Sequence, residues 1–331
     1  MRIYLADLLR PFLPQKRLNE FGINNKIIQL EDYIEKCDIC LLPMAWNYYL
    51  DINKVNQAEE LIQRAKRAGK KILIWVRGDY FTPLPEYDHI IRLYFSAYKS
   101  KLNNKAFSLP VIIRDPLFLL KSNTIEFTIF KPIPLIGFCG QSDSNLIISL
   151  IKMAKLTWQN FKYYFNFSNE YPGPVIPPTY LRKKVLDILC SATKIKTDFV
   201  RRKRYQGGNI RKDESFKKLR IEFFQNIIDT DYTLCIRGTG NFSARFYETL
   251  ALGRIPIFVN TDCILPFKNE IDWKKHVVWI EHDEITEITK KILHFHNSFN
   301  QESFKRLQVE NRMLWEKYFK FSGFFNELVF S

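Results

Sequence analysis

Apolar positions in this chain come in two rhythms that alternate along its length. Short apolar runs at Arg2–Ala6, Cys37–Pro43, Lys71–Val76 and Val111–Ile113 read as buried strands. Between them, Val55, Ala58, Leu61, Ile62 and Ala65 recur at three- and four-residue steps, which predicts a helix over 53–68 ended by Gly69. Irregular Lys- and Pro-rich sequence at 121–135 breaks the pattern, and Leu135–Cys139 opens a second series. A Gly/Ser-rich junction at 140–144 then leads into a helical pattern over about 145–158. That junction reads either as the first ligand-facing loop of a doubly wound unit or as an ordinary capped turn. Residues 302–320 close the chain with a helix whose apolar side carries Phe304, Leu307, Leu314, Trp315 and Phe319. Strand–helix alternation of this kind predicts two α/β units with parallel sheets. We place them at 1–125 and 132–285, with closing helices over 286–331 packing back toward the first unit.

The densest pattern lies at 231–267. Tyr232–Ile236 reads as a strand, and Arg237-Gly238-Thr239-Gly240 as a turn that permits close backbone approach. Ser243 stands at an N-cap position, so a helix begins near Ala244; Gly253 stops it, and Ile255–Val259 forms the next strand. The helix N-terminus faces the turn and favours an anion. Arg237 and Arg245 add charge-assisted hydrogen bonds, and Glu248, one helical turn beyond Arg245, suits vicinal ribose hydroxyls. Arg237, Gly238, Asn241, Ser243, Arg245 and Glu248 are therefore the candidate donor-binding residues. The alternative is a plain β-α-β unit with an Arg–Glu surface pair. Dinucleotide chemistry fits poorly, because Ser243 replaces the third glycine of that fingerprint and no acidic residue follows at its spacing.

The same stretch resembles the exostosin family of glycosyltransferases, the GT47 type. The residues that carry the resemblance are Leu234, Arg237-Gly238, Ser243, Arg245, Glu248, Gly253, Ile255-Pro256 and Leu265-Pro266-Phe267. Leu135–Gly140 looks like that family's opening donor-domain strand, and Asp38–Pro43 is similar in the first half. Arg254 stands where the family has cysteine. The resemblance implies a GT-B fold, inverting transfer from a UDP- or GDP-sugar (UDP foremost) to a glycan or lipid-linked glycan, and no essential metal or other cofactor. Asp229-Thr230-Asp231 is formally a D-x-D metal motif, but it precedes its strand, whereas ligand sites lie beyond the carboxyl ends of parallel strands. It reads as the polar start of the strand.

Inverting transfer needs a base from the facing unit. Asp79, after the strand ending at Val76, is the first candidate, against a turn carboxylate paired with Arg77; Asp115 is the second. Trp46 and Tyr48 suit either sugar stacking or core packing.

Charge and cysteines narrow the picture further. The formal charge is +15, and residues 182–220 hold fourteen Lys/Arg against four Asp/Glu. This is a solvated basic face or an attraction to phosphate or anionic membrane, with no recognisable nucleic-acid module beside it. A non-catalytic basic binding module is the rival function. The six cysteines, Cys37-x-x-Cys40 included, fit buried free thiols in a reducing compartment. No signal-peptide pattern and no membrane-spanning run is seen, so the expectation is a cytoplasmic protein, peripheral at the membrane at most.

Overall fold

A computed structural model describes residues 2–4, 29–102, 106–122, 124–142, 146–204, 214–320, 323–324 and 327. Among them are two all-parallel sheets. The first holds β1 (Arg2–Tyr4), β2 (Gln29–Glu31), β3 (Ile39–Leu41), β4 (Ile72–Val76), β5 (Ile90–Tyr94) and β6 (Ala106–Ser108), in the order β2-β1-β3-β4-β5-β6. The second holds β7 (Leu135–Gln141), β8 (Lys196–Arg202), β9 (Tyr232–Cys235), β10 (Ile255–Asn260) and β11 (Val278–Glu281), in the order β11-β10-β9-β7-β8. Each order reverses beside its first strand. That reversal opens a crevice at the strands' carboxyl ends, between β7 and β9 in the second sheet. Two α/β units facing each other give the GT-B arrangement.

The buried strands follow the apolar runs. β4 and β10 are buried almost throughout because sheet neighbours flank them and helices cover their faces. The helix Val55–Arg67 turns Ala58, Leu61, Ile62 and Ala65 inward, and Gly69 ends it at φ +64°. The helix after β7 runs Leu146–Tyr164, longer than its sequence pattern suggested, and the last long helix runs Gln301–Tyr318. Residues 143–145, part of the expected Gly/Ser junction, lie outside the described residues.

Val111–Ile113 is not a strand. Its side chains pack against the core, but the sheet ends with β6, ahead of Pro110, which has no N–H to continue a ladder. In its place stands β5, whose Arg92 is buried and paired with Glu86 at 2.8 Å.

One apolar cluster joins the two units. It contains Ile3, Ile39, Leu73 and Leu93 from the first sheet with Phe246, Phe258, Trp315 and Phe319 from the second half. Burying a side chain such as Phe319 contributes about 1.5–3 kcal/mol. The last long helix lies against the helix Ala244–Ala251, and its Arg312 grips both carboxylate oxygens of Asp115 at 3.1 and 2.6 Å. Asp115 also caps the helix Pro116–Leu120 through Leu117 N–H. This is a structural post, unlike the base role considered for Asp115.

Candidate active site

Gly140 at the end of β7 and Arg237 just beyond β9 flank the crevice of the second sheet. Arg182, from the helix Pro178–Cys190, ties the crevice together. Its Nη1 donates to Gln141 O at 3.1 Å and its Nη2 to Arg237 O at 2.8 Å. Arg245, on the first turn of the helix Ala244–Ala251, sits under β7. It donates to Cys139 O at 2.8 Å and Leu234 O at 3.3 Å and lies 4.3 Å over the Phe138 ring. A Cβ on Gly140 would stand 2.6 Å from Arg245 Nη2, so the glycine makes room for the guanidinium. Arg245 Nε is buried with no acceptor among the described residues.

Arg237 is 5% exposed, and its guanidinium reaches Ile176 O at 3.1 Å and Gly238 O at 3.3 Å. Burial pulls the pKa of both arginines below the ordinary value, since desolvation penalises a cation. Among the described residues, neither has a carboxylate within salt-bridge distance. Arg237 is a buried cation held by carbonyls, and Arg245 is a half-buried one held by carbonyls and the Phe138 ring; an anion would complete the coordination of either.

Glu248 is placed differently from expectation. It is 6% exposed, and its Oε1 takes a 2.6 Å bond from Arg220, on the helix Glu214–Ile228. Arg220 in turn lies over Phe223 and Phe224. A ribose approaching Glu248 would therefore meet an already oriented carboxylate. Ser243 occupies the N-cap position in extended backbone, but its hydroxyl makes no capping bond.

Asn241 does not face a ligand. Its N–H donates to Ser96 Oγ at 2.9 Å, and Nδ2 donates to Ala97 O at 2.8 Å and Asp262 O at 3.1 Å. Oδ1 accepts from Thr261 Oγ1 at 2.7 Å and Cys263 Sγ at 3.3 Å. Every polar group of the side chain is committed, and the residue fastens the turn to the first unit. This corrects the expected donor contact.

Of the two turn glycines, Gly240 is the one the packing requires. A Cβ there would fall 2.5 Å from the Phe242 ring and 3.0 Å from the Asp79 Cα, whereas at Gly238 its nearest neighbour is Arg182 Nη2 at 3.9 Å. Gly240→Ala is expected to lower stability by about 1–3 kcal/mol through overpacking between the units, and Gly238→Ala by less than about 0.5 kcal/mol. Chemical denaturation of the two variants checks the contrast; equal losses would refute it.

The turn thus abuts the loop that carries Asp79. The nearby Gly240 backbone favours the ionised Asp79 carboxylate, but the larger effect of desolvation raises its pKa above 3.8. Asp79 remains accessible at the lip of the cleft. Asn47 brackets its loop, donating to Arg77 O at 3.0 Å and accepting from Arg77 N–H at 3.2 Å. Arg77 leans toward Asp51 rather than pairing with Asp79. Behind this contact is a cavity of about 40 Å³ lined by Asp79, Tyr98, Gln159, Glu170, Arg237 and Thr239. Glu170 was not among the sequence candidates. It accepts from Gln159 Nε2 at 2.7 Å and supplies a second carboxylate to the cleft. Nothing in the Glu-Tyr-Pro-Gly-Pro run announces this.

The remaining candidates serve the frame. Trp46 is buried in the first unit's core, and Tyr48 lies beside Arg77. Asp231 is buried at the start of β9 and accepts from Leu135 N–H at 2.8 Å; Asp229 accepts from Gln225. Cys37 and Cys40 are buried thiols with sulfurs 3.7 Å apart. Much of the basic segment 182–220 is engaged internally: Lys183 and Arg201 on Asp187, Arg202 on Glu222, Arg220 on Glu248. Residues 205–213 lie outside the described residues.

The family model of the exostosin GT47 domain matches residues 152–294. Exostosin-1 of Drosophila melanogaster is 28% identical over 112 residues, covering 34% of this chain and 14% of that protein. Human exostosin-2 is 23% identical over 100 residues, 30% of this chain and 13% of that one. A probable glucuronosyltransferase, GUT1, of Oryza sativa subsp. japonica is 26% identical over 66 residues, 20% of this chain and 16% of that protein. The matches therefore span only about a seventh of the length of these relatives. Among solved structures, TarM aligns with a TM-score of 0.36 and 9% identity over 78% of this chain and 50% of that one. The matched region contains the turn, Arg237, Arg245 and Glu248, so residues 152–294, which carry the candidate site, are similar to the exostosin GT47 domain.

Proposed function

We propose that the chain is an inverting, metal-independent glycosyltransferase that moves a sugar from a nucleotide diphosphate, UDP before GDP, to a glycan or lipid-linked glycan. The observation that carries this reading is the pair of arginines, Arg237 buried and Arg245 half-buried, beside the carboxyl ends of β7 and β9 with no salt-bridge partner among the described residues. A diphosphate offers both the charge and the acceptor oxygens that such a pair lacks. Glu248, oriented by Arg220, takes the ribose, and Asp79 receives the acceptor proton from across the cleft. Residues 1–125 serve the acceptor and 132–285 the donor, with 286–331 closing the frame. Six free cysteines, five of them buried, support a reducing, cytoplasmic setting.

A cavity of about 40 Å³ is far below the several hundred Å³ of a typical small-molecule site, so donor binding requires the facing loops to separate. Binding to the native state raises the melting temperature, and a thermal-shift screen of UDP- and GDP-sugars tests the donor class directly. In calorimetry, Arg237→Ala is expected to weaken the responding donor by about 1.5–3 kcal/mol, the worth of a charge-assisted hydrogen bond. If no nucleotide sugar shifts the wild-type transition, or if Arg237→Ala binds the donor unchanged, the assignment fails.

A further inference from the structure

The helix Leu146–Tyr164 has two faces with different tasks. Its inner face gives Leu156, Gln159 and Asn160 to the cleft that also holds Asp79 and Arg237. The opposite face carries large apolar side chains in water: Ile151 is 64% exposed, Trp158 59%, Phe161 47% and Phe165, just past the helix, 54%. Residues 151, 158, 161 and 165 fall on one stripe at helical spacing. The rings form a continuous row, Trp158 stacking on Phe161 at 5.6 Å and Phe161 meeting a tilted Phe165 at 4.2 Å. Phe167 extends the apolar surface and is 80% exposed.

The charge beside the stripe has one sign. Lys152, Lys155 and Lys162 lie along one flank, and no Asp or Glu occurs between Asp143 and Glu170. An apolar stripe rich in Trp and Phe and flanked only by lysines has the composition of a helix that lies in the plane of a bilayer, rings at the acyl boundary and ammonium groups at anionic headgroups. No helix among the described residues is long and apolar enough to cross a membrane, so contact through this face is peripheral. A protein partner would be expected to meet charges of both signs along the edge. Here the charged residues from 146 to 169 are lysines alone, which match a diffuse negative surface.

We propose that the exposed face of the helix Leu146–Tyr164 docks the protein on an anionic lipid surface. The basic segment 182–220, much of it spent on internal ion pairs, is at most an accessory. Because the inner face of the same helix lines the cleft, docking places the cleft beside the headgroup layer. The inference does not depend on the transfer reaction.

Vesicle co-sedimentation of the full chain tests it, with phosphatidylcholine alone and with about 30% phosphatidylglycerol. Wild type should bind the anionic vesicles, and added salt should weaken that binding. The double variant Trp158→Glu/Phe161→Glu should lose about tenfold or more in partitioning with its melting temperature unchanged, since both side chains are exposed. Lys152→Gln/Lys155→Gln/Lys162→Gln should lose the preference for anionic over neutral vesicles, while Lys184→Glu/Lys194→Glu in the basic segment should retain most binding. The inference is overturned if wild type ignores anionic vesicles, if the aromatic variant binds as well as wild type, or if only the basic-segment variant loses binding. It is also overturned if light scattering shows a wild-type dimer that Trp158→Glu/Phe161→Glu dissociates, because the stripe would then be a contact between two copies.

Discussion

Asp79→Asn is expected to lower kcat for sugar transfer by about 10²–10⁴-fold, a barrier increase of roughly 3–5 kcal/mol, while donor affinity stays within about twofold. The separation follows from where the groups stand. Asp79 belongs to the loop after β4 in the first unit, whereas Arg237, Arg245 and Glu248 belong to the second. Gly240 packs against the Asp79 backbone, a Cβ on it standing 3.0 Å from Asp79 Cα, so a donor seated on that turn would lie beside the Asp79 loop. The variant keeps the shape and can still accept a hydrogen bond, but it cannot take a proton. The pH profile gives a second readout. Desolvation raises the Asp79 pKa above 3.8, and a base works only when ionised, so activity should fall as pH drops through that raised value. That acid limb should be missing from the residual activity of Asp79→Asn. The stability effect runs the other way. A carboxyl whose folded pKa is raised favours folding when protonated, below 3.8, and this contribution is lost as pH rises through the folded value. If Asp79→Asn retains more than a tenth of wild-type turnover while Glu170→Gln does not, the base is Glu170, the other carboxylate lining the cavity.

The two carboxylates also mark how far the sequence could be read. Residues 231–267 were legible because their signals are local: an apolar run, a glycine turn, a short helix stopped at Gly253, and a second apolar run observed as β10. β8 was not legible, because Lys-Thr-Asp-Phe-Val-Arg-Arg lies at the edge of its sheet and carries few of the apolar residues that identify a central strand. Neither was β5, where the buried Arg92 interrupts the apolar pattern and is compensated by Glu86 in the preceding loop. The site divides along the same line. Arg237 and Arg245 stand beside the crevice, where the local strand–turn–helix pattern put them. Asn241 was misjudged because its partners, Ser96 and Ala97, are more than 140 positions away in sequence. Glu170 reaches the cleft only because the helix Leu146–Tyr164 runs along it, a tertiary fact with no local signature. Ligand-facing polarity and inter-unit bonding use the same residue types, and periodicity does not separate them.

Arg254→Cys should cost about 3 kcal/mol of stability, although cysteine is the residue the exostosin resemblance implies at this position. Arg254 is 1% exposed and donates to four groups: Ile228 O through Nε and Nη2, Leu252 O and Gln308 Oε1 through Nη1, and Glu126 O through Nη2. It thereby joins the segment between the units, the helix Glu214–Ile228 and the last long helix. Gln308 and Asn311 continue the network, Gln308 bonding both Thr128 N–H and Thr128 O, and Asn311 bonding Arg254 O. Burial without a carboxylate partner draws the guanidinium pKa down to about 10, so it remains charged at neutral pH and bears a desolvation cost. Removing it relieves that cost. The same change leaves three carbonyls short of a donor, that of the buried Leu252 among them, at up to about 1–3 kcal/mol each, and it opens a void the size of most of an arginine side chain. The losses exceed the relief, which sets the sign. For a unit of 150–250 residues the change corresponds to a fall of about 6–12 °C in melting temperature. Arg254→Lys should recover little, since one ammonium cannot span acceptors on three elements. A Cys variant that melts within about 1 °C of wild type would show that the carbonyls find water or new donors. In that case Arg254 would only fill space, and the last helix would be held to the second unit by its apolar residues Phe304, Leu307 and Trp315 and by the bonds of Asn311 and Arg312 to His276 and Ala251.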